Sequence, residues 1–304
     1  MMPLVCGCLL ATALASNVED PPADKPAPER WAVILVGIPG DKEHEKLFRK
    51  TADAWQEWLT RTLQFEVDHV LVLTGAAGGK KRLAGTTADE IRTTFASLNE
   101  KLRADDALWV LTLGHGHYDG KHAWFHVAGR DPSNADFGRW LSDIRCREQV
   151  FWLTHASSGW FVKPLSQPGR IVIAATAADD ESNETEFPEA LASVAAEPAE
   201  TLDEDRDGHV SVAEMFTAVV REVLDRFNSD KRLPTEHAQI DDNGDGRGSE
   251  ELAEQKDSAE PEPPVGAPAP AKPPTAKSDG DLARQTFVPY RRPIKEPQNG
   301  GPEK

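Results

Sequence analysis

The stretch ALWVLTLGHGH, residues 107–117, decides how the chain is read. Its first seven residues carry no charge and no turn former, which suits a strand buried on both faces rather than one with a solvated side. The run then breaks into Gly114-His115-Gly116-His117, which sets imidazoles at the carboxyl end of that strand. Similar apolar runs occupy residues 32–37 (AVILVG), 67–75 (VDHVLVLTG), 149–154 (QVFWLT) and 170–176 (RIVIAAT). Between them apolar residues recur at helical spacing: Phe48, Ala52, Trp55 and Leu59, then Ile91, Phe95, Leu98 and Leu102, then Phe137, Trp140, Leu141 and Ile144. This alternation predicts an α/β fold, a mostly parallel sheet flanked by helices, with the working residues where the strands end.

The fourth strand runs into Thr154-His155-Ala156-Ser157-Ser158-Gly159. A third strand ending in His-Gly and a fourth closing in Ser-Gly resembles the caspase, legumain and gingipain group of cysteine peptidases, over residues 31–245. The resemblance implies a caspase-hemoglobinase-like three-layer sandwich in which His115 takes the general acid or base position and Ser158-Gly159 the Ser-Gly position. The nucleophilic cysteine position then falls on Ala156. Alanine offers nothing to activate, so the family's covalent route is closed. Three readings stay open. The chain is a pseudoenzyme that holds a peptide or protein ligand at the strand-end cleft, or a hydrolase using His115 or His155 with Ser157 or Ser158, or the cleft is incidental. No acidic residue is evidently placed to orient a serine's base. His115, His117 and His126 lack the carboxylate or cysteine spacing of a transition-metal site. Glu181, Asn183 and Phe187 follow the fifth strand, where such folds shape a substrate cleft, but a helix start capped by Ser182, Asn183 or Thr185 is the preferred reading.

A second chemistry is written in Asp203-Glu204-Asp205-Arg206-Asp207-Gly208-His209-Val210-Ser211-Val212-Ala213-Glu214. These twelve residues match an EF-hand calcium loop position by position. Carboxylates stand at 1, 3 and 5 (Asp203, Asp205, Asp207), the His209 carbonyl at 7, Ser211 at 9 and the two-oxygen ligand Glu214 at 12. Gly208 supplies the turn at position 6. A helix follows, with Val212, Phe216, Val219, Val223 and Phe227 on one stripe, while Pro198 interrupts the approach. The expected ligand is Ca2+, in a looser site than a paired hand. A second acidic turn, Asp241 to Asp245, is degenerate, with Gly248 at position 8 and Leu252 at position 12.

The 51 acidic residues against 34 basic ones, a net charge of −17, argue against a nucleic-acid surface. Residues 1–15 read as a secretory signal peptide ending in Ala13-Leu14-Ala15, too short to span a bilayer and poorly spaced for a bacterial lipoprotein site. Export to the periplasm or outside is therefore expected. Cys146 would then be the sole cysteine, a structural thiol. Residues 16–30 form a Pro-rich lead-in, 31–200 the α/β domain, 201–252 the calcium loop with its helix and the second acidic turn, and 253–304 a Pro-rich tail. Leu282 to Pro293 regains Phe287 and Tyr290 within that tail, as a segment that docks back or simply trails. Two glycine-rich turns, GIPGDK and GAAGGKK, lack the spacing of a phosphate loop.

Overall fold

The computed structural model describes residues 26–75, 84–252 and 278–288. The signal-peptide and most of the lead-in assignments, the turn at residues 76–83 and the bulk of the Pro-rich stretch lie outside them. Strands β1 (Arg30–Val36), β2 (Val70–Leu73) and β3 (Ala107–Leu113) alternate with helices α1 (Lys42–Glu57) and α2 (Ala88–Lys101). The hairpin β4 (Gly116–Tyr118) and β5 (Ala123–Phe125) leads to α3 (Asn134–Leu141), β6 (Glu148–Leu153), α4 (Gly159–Leu165) and β7 (Arg170–Ala174). Next come α5 (Phe187–Ala195), the single turn α6 (Ala199–Leu202), β8 (Val210–Ser211), α7 (Val212–Ser229) and β9 (Gln239–Asp241). The last described elements are α8 (Asp281–Gln285) and β10 (Phe287–Val288).

The main sheet has six strands in the order β2-β1-β3-β6-β7-β9. Every neighbouring pair is parallel except β7 with β9. Helices cover both faces, as expected of a parallel sheet whose strands are buried on two sides. Along β1, Ala32, Ile34 and Val36 point into one core with Phe48 and Trp55 of α1, Phe187 of α5 and Phe216 of α7. Trp31, Val33 and Leu35 point into the other with Phe95 of α2, Phe137 of α3 and Phe161 of α4. The period-two alternation of a strand thus divides one apolar run between two cores.

Local signals agree with the elements they bound. Asp41 caps α1 by accepting from the Glu43 and His44 amides, and Thr87 caps α2 through the Glu90 amide. The second strand is shorter than expected, because residues Val67–His69 form a 3-10 turn before β2. Helix α4 and the antiparallel edge strand β9 have no counterpart in the sequence reading. Residues 278–288 lie in the stretch placed in the tail, part of which was read as docking back or trailing, and they pack on the fold: Ala283 and Val288 are buried, and β10 pairs with β8.

Candidate functional site

Strand order reverses between β1 and β3, since the chain steps from β1 to β2 on one side and resumes at β3 on the other. The crevice beyond the carboxyl ends at such a reversal is where open α/β sheets hold ligands. His115 stands there, one residue past the end of β3 and its glycine. Its Nε2 donates to the Pro39 carbonyl at 3.3 Å, across the crevice from the segment after β1. The ring packs edge-on to His44 at 5.0 Å and against Phe48 at 5.3 Å. His44, which the sequence reading did not single out, bridges Asp41 Oδ2 at 2.8 Å and Glu184 Oε1 at 2.9 Å. Burial works to lower its pKa, but the bonds to Asp41 and Glu184 outweigh that and raise it. A cleft of about 810 Å³ opens beside it, lined by Lys46, Lys50, Glu184, Glu189 and Arg232.

The turn after β6 brings Ala156, Ser157 and Ser158 to the same edge but gives them structural tasks. Ser158 Oγ is fully buried and accepts from the Ala175 and Thr176 amides at 3.0 and 3.3 Å, tying the turn to the end of β7. Ser157 holds a left-handed conformation (φ +59°), its amide donates to the Glu181 carbonyl at 3.1 Å, and its Oγ approaches that oxygen at 3.5 Å. His155 is completely buried, with Nδ1 donating to the Ala156 carbonyl at 3.0 Å and Nε2 without a partner. Burial pushes its pKa down to about 4, so the ring stays neutral against Phe125 and Phe161. Among the described residues no hydrogen bond joins His115 or His155 to Ser157 or Ser158. The base-to-hydroxyl contact that a serine nucleophile requires is not assembled here.

Glu181 is a joint, and none of Ser182, Asn183 and Thr185 caps α5, whose N-cap is Glu186 with no side-chain cap bond. Glu181 Oε2 accepts from the Ala177 amide at 2.7 Å and the His237 amide at 3.0 Å, and its Oε1 pairs with His237 Nδ1. One side chain therefore fastens the end of β7 to the approach to β9, while its carbonyl holds Ser157. Nearby, burial raises Glu236 to about 8 and Glu189 to about 7. No sequence spacing could have marked the Glu181–His237 pair, because its members lie fifty-six residues apart. Cys146 is half-buried, and burial pushes its thiol up to about 11, the behaviour of an inert structural cysteine.

The acidic loop runs from the single turn α6 through β8 into α7. Pro198 ends the longer approach, so one turn leads in where an EF-hand has a full helix. Gly208 takes φ +89° and donates its amide to Asp203 Oδ2 at 3.0 Å. Asp205 and Asp207 each accept from the amide two residues on, at 3.0 and 2.7 Å. Ser211 and Glu214 form the capping box of α7. Glu214 Oε1 also reaches back to the Glu204 amide at 2.8 Å, which closes the loop. Asp203, Asp205 and Glu214 place carboxylate oxygens within 4.8 Å of one another. Asp207 lies outside that group, His209 offers only its carbonyl, and the Ser211 hydroxyl is spent on Glu214 at 2.8 Å. Asp203 Oδ1 is buried with no hydrogen-bond partner.

The second acidic turn repeats the same backbone pattern. The Gly246 amide donates to Asp241 Oδ2 at 2.9 Å, Asp245 to Asn243 at 2.8 Å and Arg247 to Asp245 at 2.8 Å. Its neighbour Asp242 faces the other way, towards α8. Among the described residues no helix is long and apolar enough to cross a membrane.

No family model and no curated protein matches the chain. Among solved structures, caspase-1 of Spodoptera frugiperda is similar at 13% identity and a TM-score of 0.42, over 74% of this chain and 95% of that one. A protein of Geobacter sulfurreducens is similar at 13% identity and a TM-score of 0.42, over 70% of this chain and 93% of that one.

Proposed function

We propose that this protein binds a calcium ion in the loop from Asp203 to Glu214, and that its strand-end cleft holds a ligand rather than cleaving one. The observation that carries the calcium reading is the buried, unpartnered Asp203 Oδ1 beside the oxygens of Asp205 and Glu214. A buried carboxylate oxygen without a donor is costly, and a hard cation that accepts oxygen ligands removes the cost. Three carboxylates this close also repel one another. The ion's role is structural. It neutralises the loop and fixes the start of α7, which packs Val212, Phe216 and Val219 into one of the two cores. The one-turn approach fits the weaker calcium sites of extracellular modules, in keeping with an exported protein.

Thermal melts in calcium and in chelator test this reading. With free calcium at a hundred times Kd, linkage adds about 2.7 kcal/mol, which for a domain of this size raises Tm by about 5–10 °C. Asp203→Ala should melt at the same temperature in calcium as in chelator. An equal calcium increment in parent and variant would remove the loop as the site.

The cleft is read as non-catalytic because Ala156 carries no nucleophile and because Ser158 Oγ serves as a buried acceptor. Serine- and cysteine-directed covalent probes should leave the parent unlabelled. Labelling at Ser157 that disappears in His115→Ala would restore the hydrolase reading.

A further inference from the structure

The hairpin beside His115 carries a pair of imidazoles that neither the calcium loop nor the cleft accounts for. His126 follows β5 directly, and its amide donates to the His115 carbonyl at 2.9 Å, which extends the hairpin by one rung. His126 therefore lies opposite His115, and His117, two residues along, shares their face. The structure resolves which of the three meet. His115 turns to Pro39, whereas His117 Nδ1 and His126 Nε2 lie 2.7 Å apart with ring centroids at 4.9 Å.

Two ring nitrogens at that distance share one proton, since one must donate and the other accept. An ion that prefers neutral imidazole can take the proton's place. Metal-nitrogen bonds of ~2.0 Å put two adjacent ligands about 2.9 Å apart at a square-planar angle and about 3.3 Å apart at a tetrahedral one. The observed separation needs to open by only ~0.2 Å for the first geometry and by ~0.6 Å for the second.

We propose that His117 and His126 form a two-histidine site for a tetragonal transition ion, Cu2+ in preference to Ni2+ and Zn2+, separate from the carboxylate loop. Two protein ligands leave the ion's other positions to water or to a donor from outside the chain, at the edge of the cleft that His115 marks. Hard ions such as Ca2+ and Mg2+ have no claim on it.

Copper sulfate titrated into the full chain, with calcium saturating the loop, tests the site by calorimetry and electron paramagnetic resonance. The expected result is one tight equivalent of Cu2+ with hyperfine coupling to two imidazole nitrogens. His117→Ala and His126→Gln should each weaken it on the order of tenfold or more and remove one nitrogen, whereas Asp203→Ala should leave it intact. His117 is exposed, so its replacement leaves folding aside, and an unchanged calcium-dependent melt would verify that. Affinity and spectrum unchanged in His117→Ala would overturn the proposal and assign copper to scattered surface histidines.

Discussion

Asp242→Ala is expected to destabilise the protein by about 3–5 kcal/mol and to free the segment from Asp279 to Val288. The Asp242 carboxylate is buried, and its two oxygens accept from the Gly280 amide at 2.9 Å and the Ala283 amide at 2.7 Å. Its own amide donates to Asp279 Oδ1 at 3.2 Å, so a carboxylate from each segment holds backbone of the other. Alanine leaves two buried N–H groups without an acceptor, each costing about 1–3 kcal/mol. What they anchor is β10, whose Phe287 and Val288 pair with Ser211 and Val210. Those partners are positions 9 and 8 of the acidic loop. The segment thus supplies the strand that steadies a solitary loop, as a second hand does in paired EF-hands. Detaching it should therefore also weaken the calcium binding proposed for the loop, by on the order of tenfold if the coupling is about 1.4 kcal/mol. Urea denaturation and amide exchange at Val212 and Phe287 report the two effects. Unchanged exchange and an unchanged midpoint would show that α8 and β10 contribute nothing to the loop.

That coupling explains what was and was not legible in the chain. The strands and the stripes of α1, α2 and α7 could be read because their information is local: apolar runs and three-to-four spacing. The turn at Gly208 could be read for the same reason, its positive φ included. Where residues 278–288 dock could not, because Asp242 and Gly280 are thirty-eight positions apart with a Pro-rich stretch between them. Nor could the joint at Glu181, where His237 approaches from fifty-six residues away. His44 was hidden differently. It sits in the first turn of an amphipathic helix, and only the fold turns that end towards His115.

Gly159→Ala should be at least as damaging, roughly 3 kcal/mol or more, whereas Ser157→Ala should stay within about 1 kcal/mol. A β-carbon on Gly159 would lie 2.3 Å from the Ala177 carbonyl carbon and 2.4 Å from the Thr176 oxygen, both backbone atoms that cannot swing aside. The turn after β6 presses directly on the end of β7 there, and Ser158 Oγ stitches the same contact through the Ala175 and Thr176 amides. Gly116 is crowded likewise, its β-carbon position being 2.5 Å from the Ala156 carbonyl oxygen. The residues that carry the peptidase resemblance, His-Gly after β3 and Ser-Gly after β6, therefore include three with a packing reason to be what they are. They would be needed whether or not position 156 held a nucleophile. Denaturation midpoints of Gly159→Ala and Ser157→Ala separate the two accounts. A large loss at Gly159 with little at Ser157 means the signature is kept by the fold. Comparable small losses at both would remove the packing explanation and return the motif to chemistry.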